Sequence, residues 1–222
     1  MNPLVAIVKF LDQGGPTLWM LVFCSVLMMA VIFERWYKIR SLVVDHEWLL
    51  AQMAYFLQDG NRQRALEFCE QVPGCLPRVF EVGLNRYDRR QEDIESAMGT
   101  SISEQMHQME RNLGVIGTLA VIAPFIGLFG TVMGIIRSFE DISKQGASSP
   151  AVVSAGVAEA LISTAAGLFV AIFSVIAFNY FRGRTRVTQQ HMQIASTRLV
   201  EMILLSREGK EFPEDLRPPS TR

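Results

Sequence analysis

The sequence predicts an all-α integral membrane protein with three membrane-spanning helices, and two observations support this. Half of the 222 residues are apolar and only 19% are charged, whereas soluble domains are about 25% charged. The missing charges leave three uncharged runs, at residues 13–33, 113–136 and 160–181. Each run exceeds the roughly 20 residues that a helix needs to cross a bilayer. This composition excludes an ordinary soluble enzyme, and three cysteines are too few for a disulfide-stapled secreted domain.

The lysines and arginines alternate along the chain in a way that orients the three spans. One precedes the first run, ten lie between the first and second, two between the second and third, and eight follow the third. Positive charges near the ends of spans stay on the cytoplasmic side. We therefore expect the N-terminus outside and the C-terminus inside. A cleaved signal peptide is the less favoured alternative, because its basic residues would precede the apolar run.

The predicted elements follow in order. The first span starts near Gly15-Pro16, since proline fits the first turn of a helix. The predicted segments are a short outer segment at 1–12, the first span at 13–37, a cytoplasmic helical domain at 38–111, the second span at 112–137, an outer loop at 138–150, the third span at 151–181, a cytoplasmic helical extension at 182–206 and a disordered tail at 207–222.

Helical periodicity predicts the packing of the two cytoplasmic regions. Breakers at residues 59–61 and 73–77 divide the first region into helices. Residues 88–111 are expected to run straight into the second span as one helix, with apolar side chains at helical spacing at Ile94, Met98, Ile102, Met106 and Met109. The extension at 182–206 is expected to bury one side, formed by Val187, Ile194, Leu199, Met202 and Leu205.

The second and third spans each gather small residues on one side and large apolar residues on the other. At about 100° per residue, the small residues fill an arc of roughly 120° in the second span and 140° in the third. Small residues let helix backbones approach closely. We expect helix packing to be the role of Gly127, Gly130, Gly134, Gly156, Gly167 and Pro124.

Four polar residues on or beside these arcs are candidates for an ion pathway. Glu159 is the only aspartate, glutamate, lysine, arginine or histidine between Pro150 and Arg182, and a carboxylate in a span costs about 2.5 kcal/mol or more. It marks an ion pathway or a subunit contact, unless it lies near the outer interface and snorkels. Hydroxyls can relay protons through threaded water, or simply bond to a carbonyl one turn earlier. The candidate hydroxyls are Thr131, Ser163 and Thr164.

Two stretches resemble signatures of a known family. Residues 123–135 (APFIGLFGTVMGI) and 152–168 (VVSAGVAEALISTAAGL) are similar to the second-helix and third-helix signatures of the ExbB/TolQ/MotA proton-channel family. The first stretch favours the ExbB branch, with TolQ close behind. Many members carry prolines near Phe173 and at the position of Ala155, and this chain lacks both. Their loss favours a straighter third helix.

The resemblance implies a pentameric ring in the bacterial inner membrane, around a pore lined by the second and third helices. It also implies a dimer of an ExbD/TolR-like single-span protein in the pore, a TonB/TolA-like protein beyond it, and protons as the coupling ion with no other cofactor. Thr131 and Thr164 match the family's pore-facing threonines, and Glu159 matches its third-helix glutamate. Membrane lipids are expected neighbours; the net charge of -1 gives no nucleic-acid footprint.

The resemblance implies an ExbB-like function, in which proton-motive force drives TonB-dependent transport across the outer membrane. One alternative is a TolQ-like subunit for envelope constriction, or a motility motor. A non-conducting membrane scaffold is the alternative from another class. A solute carrier is disfavoured, because the chain has three spans and no paired repeat. We expect no enzyme activity, because His46, His107 and His191 are scattered and the cysteines lack zinc-ligand spacing.

Overall fold

The computed structural model describes residues 15–42, 44–145 and 150–213, and within these ranges the regular structure is entirely helical. These residues form seven helices: α1 (Gly15–Leu42), α2 (His46–Gln58), α3 (Arg62–Gln71), α4 (Cys75–Asn85), α5 (Gln91–Glu110), α6 (Leu113–Gln145) and α7 (Pro150–Glu208).

The chain divides into two compact units, and α1 and α7 contribute residues to both. The first, here called the apolar unit, combines the residues up to Glu34 with Asn112–Phe181. The second, here called the bundle unit, combines Arg35–Arg111 with the residues from Arg182 onward. By length and composition, α1, α6 and α7 are each able to cross a membrane. The all-helical chain with three long apolar helices agrees with the predicted fold class.

The apolar unit is apolar on its outside as well as in its core. The core cluster joins the three long helices through Leu21, Cys24, Met28, Leu119, Ala123, Val170 and Ala171. Large side chains of α6 and α7 remain exposed, such as Phe125, Leu128, Phe169 and Ile172. A helix surface of this kind is stable in lipid and unfavourable in water, so the unit is built for a bilayer.

In the bundle unit each short helix packs on the next one along the chain, α2 on α3, α3 on α4 and α4 on α5. All five apolar residues expected at helical spacing are buried there: Ile94, Met98, Ile102, Met106 and Met109. Helix α4 approaches α5 closely at Gly83, where an added Cβ would lie 2.6 Å from the Met98 Sδ. The Asp45 and Asn61 side chains accept hydrogen bonds from backbone N–H groups in the first turns of α2 and α3. These caps fix where both helices begin.

The prediction that residues 88–111 continue into the second span as one helix is wrong. Helix α5 ends at Glu110, and Asn112 adopts a φ of 64° before α6 begins. Asparagine tolerates this left-handed conformation better than most residues. In the apolar unit the Asn112 Nδ2 donates to the Glu34 carboxylate at 2.9 Å. This hydrogen bond fixes the side chain of Asn112, the residue at which the helix is interrupted.

Two predicted segment boundaries also differ. The outer loop expected at 138–150 is helical over 138–145, because no breaker precedes Gly146 and Ser138 donates its hydroxyl to the Gly134 carbonyl. Residues 146–149 lie outside the described residues. The tail expected at 207–222 begins as the end of α7, and Phe212 is only 1% exposed because it packs into the bundle unit. Residues 1–14 and 214–222 also lie outside the described residues.

The apolar side predicted for residues 182–206 is only partly correct. Leu199 and Met202 are buried, whereas Val187 and Ile194 are 43% and 51% exposed. At 100° per residue, Val187 and Ile194 point about 60° to 140° away from Leu199 and Met202. Leu205 shares the direction of the exposed pair but is half-buried.

Candidate functional site

The small residues of α6 and α7 face each other across a close helix contact. An added Cβ on Gly127 would lie 2.9 Å from the Ser163 carbonyl oxygen and 3.0 Å from the Thr164 Cα. On Gly167 it would lie 2.6 Å from the Ala123 carbonyl oxygen. Real Cβ contacts are never this short, so both positions require glycine for the two backbones to meet. The two arcs predicted from the sequence therefore meet within the single chain.

The remaining small residues extend this contact along both helices. An added Cβ on Gly134 would lie 2.8 Å from the Ala160 Cβ, and one on Gly156 would overlap the Ser138 hydroxyl. At Gly130 it would meet side chains from two helices, Ser163 and Thr17. Pro124 lies inside α6, where its missing N–H leaves the carbonyl four residues earlier without a helical donor.

Two of the candidate hydroxyls donate to backbone carbonyls, and one of these bonds crosses the contact. The Thr164 Oγ1 donates across the contact to the Gly127 carbonyl at 3.1 Å. The Thr131 Oγ1 donates within α6 to the Leu128 carbonyl at 2.6 Å. A hydroxyl that donates in this way can still accept hydrogen bonds from water. Both threonines are half-buried, and Ser163 is 2% exposed. The Glu159 side chain lies outside the described residues.

A cavity of about 190 Å³ opens where α1, α6 and α7 meet in the apolar unit. Its lining includes Gly130, Gly134 and Ser163, but neither Thr131 nor Thr164. Of the predicted site residues, Gly130, Gly134 and Ser163 therefore lie at the cavity. Thr131 and Thr164, here called the threonine group, do not.

The cavity lining also includes Arg137, one of the two positive residues that the sequence places between the second and third uncharged runs. The available signal was its spacing, three residues after Gly134 on the same helix. A guanidinium repels cations, so the lining at Arg137 makes this cavity unfavourable for a cation.

Helix α7 is unbroken through the positions where many members of the resembled family carry proline. Phe173 lies inside α7 and packs against Phe169, with ring centroids 4.6 Å apart. The Ala155 side chain lies outside the described residues. No group of three or more histidine, cysteine or acidic side chains gathers to hold a metal ion in the described ranges.

Comparison with known proteins gives a family and several relatives. The profile of the MotA/TolQ/ExbB proton channel family matches residues 72–194. The chain is 41% identical over 123 residues to the Tol-Pal system protein TolQ of Pseudomonas aeruginosa, covering 50% of this chain and 53% of TolQ. It is 39% identical over 155 residues to the biopolymer transport protein ExbB of Neisseria gonorrhoeae, covering 70% of this chain and 63% of that protein.

A protein of Synechocystis named ExbB-like 1 is 29% identical over 218 residues, covering 95% of this chain and 84% of its own length. The chain thus spans about half of the Pseudomonas TolQ and less than two thirds of the Neisseria ExbB. The profile covers more than half of the chain, including both small-residue arcs and the three candidate hydroxyls. This membrane protein therefore belongs to the MotA/TolQ/ExbB proton channel family.

Proposed function

We propose that this chain is the ExbB-like subunit of an inner-membrane motor that uses proton-motive force to drive TonB-dependent transport across the outer membrane. In this proposal five copies form a ring, and α6 and α7 line its pore. An ExbD-like dimer of single-span proteins occupies the pore, and a TonB-like protein carries the work onward. The observation that carries the proposal is the Thr164 hydroxyl at the α6–α7 contact, 3.1 Å from the Gly127 carbonyl.

The proposed proton route combines hydroxyls, which bind water, with one carboxylate, which can take up and release a proton. The Thr131 and Thr164 hydroxyls accept hydrogen bonds from water while donating to backbone carbonyls. Glu159 supplies the one carboxylate in this part of α7, and a carboxylate can take up and release a proton. One charge crossing 100 mV releases about 2.3 kcal/mol. That energy is sufficient for a small rotation of the partner per proton.

Removing each hydroxyl while keeping the side-chain volume tests the route. We expect Thr131→Val and Thr164→Val each to lower proton flux at least tenfold in proteoliposomes that also contain the single-span partner, with assembly unchanged. Thr118→Val is the matched control, because the Thr118 hydroxyl makes a comparable bond, to the Gly114 carbonyl of its own helix. Wild-type flux in both test variants would remove these hydroxyls from the mechanism.

A TolQ-like role is the second candidate, favoured by the 41% identity to the Pseudomonas TolQ. Complementation separates the two branches. Rescue of iron-chelate uptake in a strain lacking ExbB supports the ExbB-like role, and rescue of envelope integrity in a strain lacking TolQ supports the other. A non-conducting scaffold would give no flux in the wild-type protein or in any variant.

A further inference from the structure

The cavity between α1, α6 and α7 in the apolar unit has one charged end and an apolar body. Arg137 is the only charged residue of its lining within the part of the chain that the structure describes. The largest apolar side chains of the lining are Met20, Phe129 and Met133. Because Gly130 and Arg137 are seven residues apart on α6, the lining extends for about 10 Å along that helix. The cavity shares no residue with the threonine group.

The body of this cavity is suited to hydrocarbon rather than to water. The two hydroxyl residues of the lining, Thr17 and Ser163, already have interaction partners. A cavity with apolar walls and no unpartnered polar group stays dry. Met20 and Phe129 are 46% and 55% exposed, so the cavity opens onto the outside of the apolar unit. In a bilayer that outside is lipid, so acyl chains have direct access to the cavity.

Arg137 provides an independent observation at the charged end. It is the first charged residue after the uncharged run at 113–136, which spans about 36 Å as a helix. This length exceeds the roughly 30 Å of the hydrocarbon core, so the guanidinium lies at the level of the lipid headgroups. Arg137 is exposed and forms no hydrogen bond or ion pair with any described residue, whereas Glu140, one turn further along, has an interaction of its own.

We propose that the cavity binds an anionic phospholipid, with the headgroup phosphate on Arg137 and one acyl chain along the apolar lining. A guanidinium donates two parallel hydrogen bonds to phosphate oxygens, and basic pockets between membrane-spanning helices bind anionic headgroups. The described lining contains no carboxylate, so the ammonium group of a zwitterionic headgroup has no partner in it. The inference depends neither on the ring nor on the partners of the proposed function.

Native mass spectrometry of the full chain in mild detergent tests the headgroup contact. The probes are phosphatidylglycerol and phosphatidylcholine with identical acyl chains. We expect the wild type to retain phosphatidylglycerol at least fivefold better, and Arg137→Gln to lose this preference. Arg111→Gln is the matched control, because it removes an exposed arginine near the other end of α6 and should keep the preference. Equal loss in both variants, or displacement of the lipid by excess inorganic phosphate, would overturn the proposal.

Filling the cavity tests the position of the acyl chain. Met20→Trp places a larger side chain in the lining. Met29→Trp is its matched control, because Met29 is 43% exposed on the same helix but lies outside the lining. We expect Met20→Trp to lower the retention of phosphatidylglycerol at least threefold, and Met29→Trp to leave it unchanged. Wild-type retention in Met20→Trp, or equal loss in the two tryptophan variants, would overturn the site and leave the proposed proton route untouched.

Discussion

Arg35 carries a guanidinium into the interior of the bundle unit, where it is 0% exposed. Its Nη1 donates to the carbonyls of Gln108 and Met109, at 3.3 Å and 3.2 Å. These carbonyls belong to the last turn of α5, where helical donors run out. A positive charge is also favourable at this end of a helix. Arg35 therefore caps the C-terminal end of α5, just before the helical conformation is interrupted at Asn112.

Replacing Arg35 by methionine should destabilise the protein by about 2–4 kcal/mol, because one buried and one partly buried carbonyl lose a charged donor. Thermal unfolding in detergent measures the change. Arg64→Met is the control, since Arg64 is exposed on α3, and it should stay within about 0.5 kcal/mol of wild type. Equal effects of the two substitutions would mean that the cap is not stabilising.

At the scale of elements, the α6–α7 contact depends on backbone approach rather than on side-chain burial. Gly167 faces the Ala123 carbonyl oxygen, where an added Cβ would lie 2.6 Å away. That neighbour is backbone, so it cannot move aside as a flexible side chain would. Any side chain at this position must push the two helices apart.

Gly167→Ala should therefore lower stability by about 1–3 kcal/mol through overpacking. Gly183→Ala, on the same helix, should raise it by up to about 1 kcal/mol, since a Cβ there meets nothing within 4 Å and alanine favours a helix. The two unfolding temperatures in detergent should thus move in opposite directions. Parallel shifts would argue that the contact at Gly167 can relax.

At the scale of the whole molecule, buried thiols make the free energy of unfolding change with pH in the alkaline range. Burial, with the carboxylates of Glu81 and Glu70, raises the pKa of the Cys69 thiol from 9.0 to about 12. Burial also raises the pKa of Cys75, against opposing effects of Arg78 and Lys38. Between pH 9 and 12 the unfolded chain releases thiol protons that the folded chain retains.

Stability should therefore be fully present below pH 9 and fall as the pH rises towards 12. Unfolding midpoints of wild type and Cys69→Ala, compared at pH 8, 10 and 11.5, isolate this contribution from other titrating groups. The difference between the two proteins should shift in favour of Cys69→Ala as the pH rises. If the difference in unfolding midpoint between the two proteins stayed constant with pH, the prediction that the Cys69 thiol stays protonated in the folded chain would be wrong.

The sequence predicted the features that depend on long patterns. The three uncharged runs predicted the three long apolar helices, and the helical spacing of apolar residues in 88–111 predicted the buried side of α5. It did not predict the break at Asn112, because no glycine or proline marks it and a contact with Glu34 holds it. It missed Arg137 as a cavity residue, since the cavity depends on how α1 meets α6 and α7. Local pattern predicts elements, whereas contacts distant in sequence decide breaks and cavities.

The uninterrupted length of α7 has a mechanical consequence. Its 59 residues span roughly 88 Å at 1.5 Å per residue, with one continuous ladder of backbone hydrogen bonds. Helices α5 and α6 are instead separated at Asn112, where that ladder is broken. A sharp bend anywhere within α7 would therefore break backbone hydrogen bonds, whereas the chain between α5 and α6 turns at Asn112 without breaking any bond within either helix.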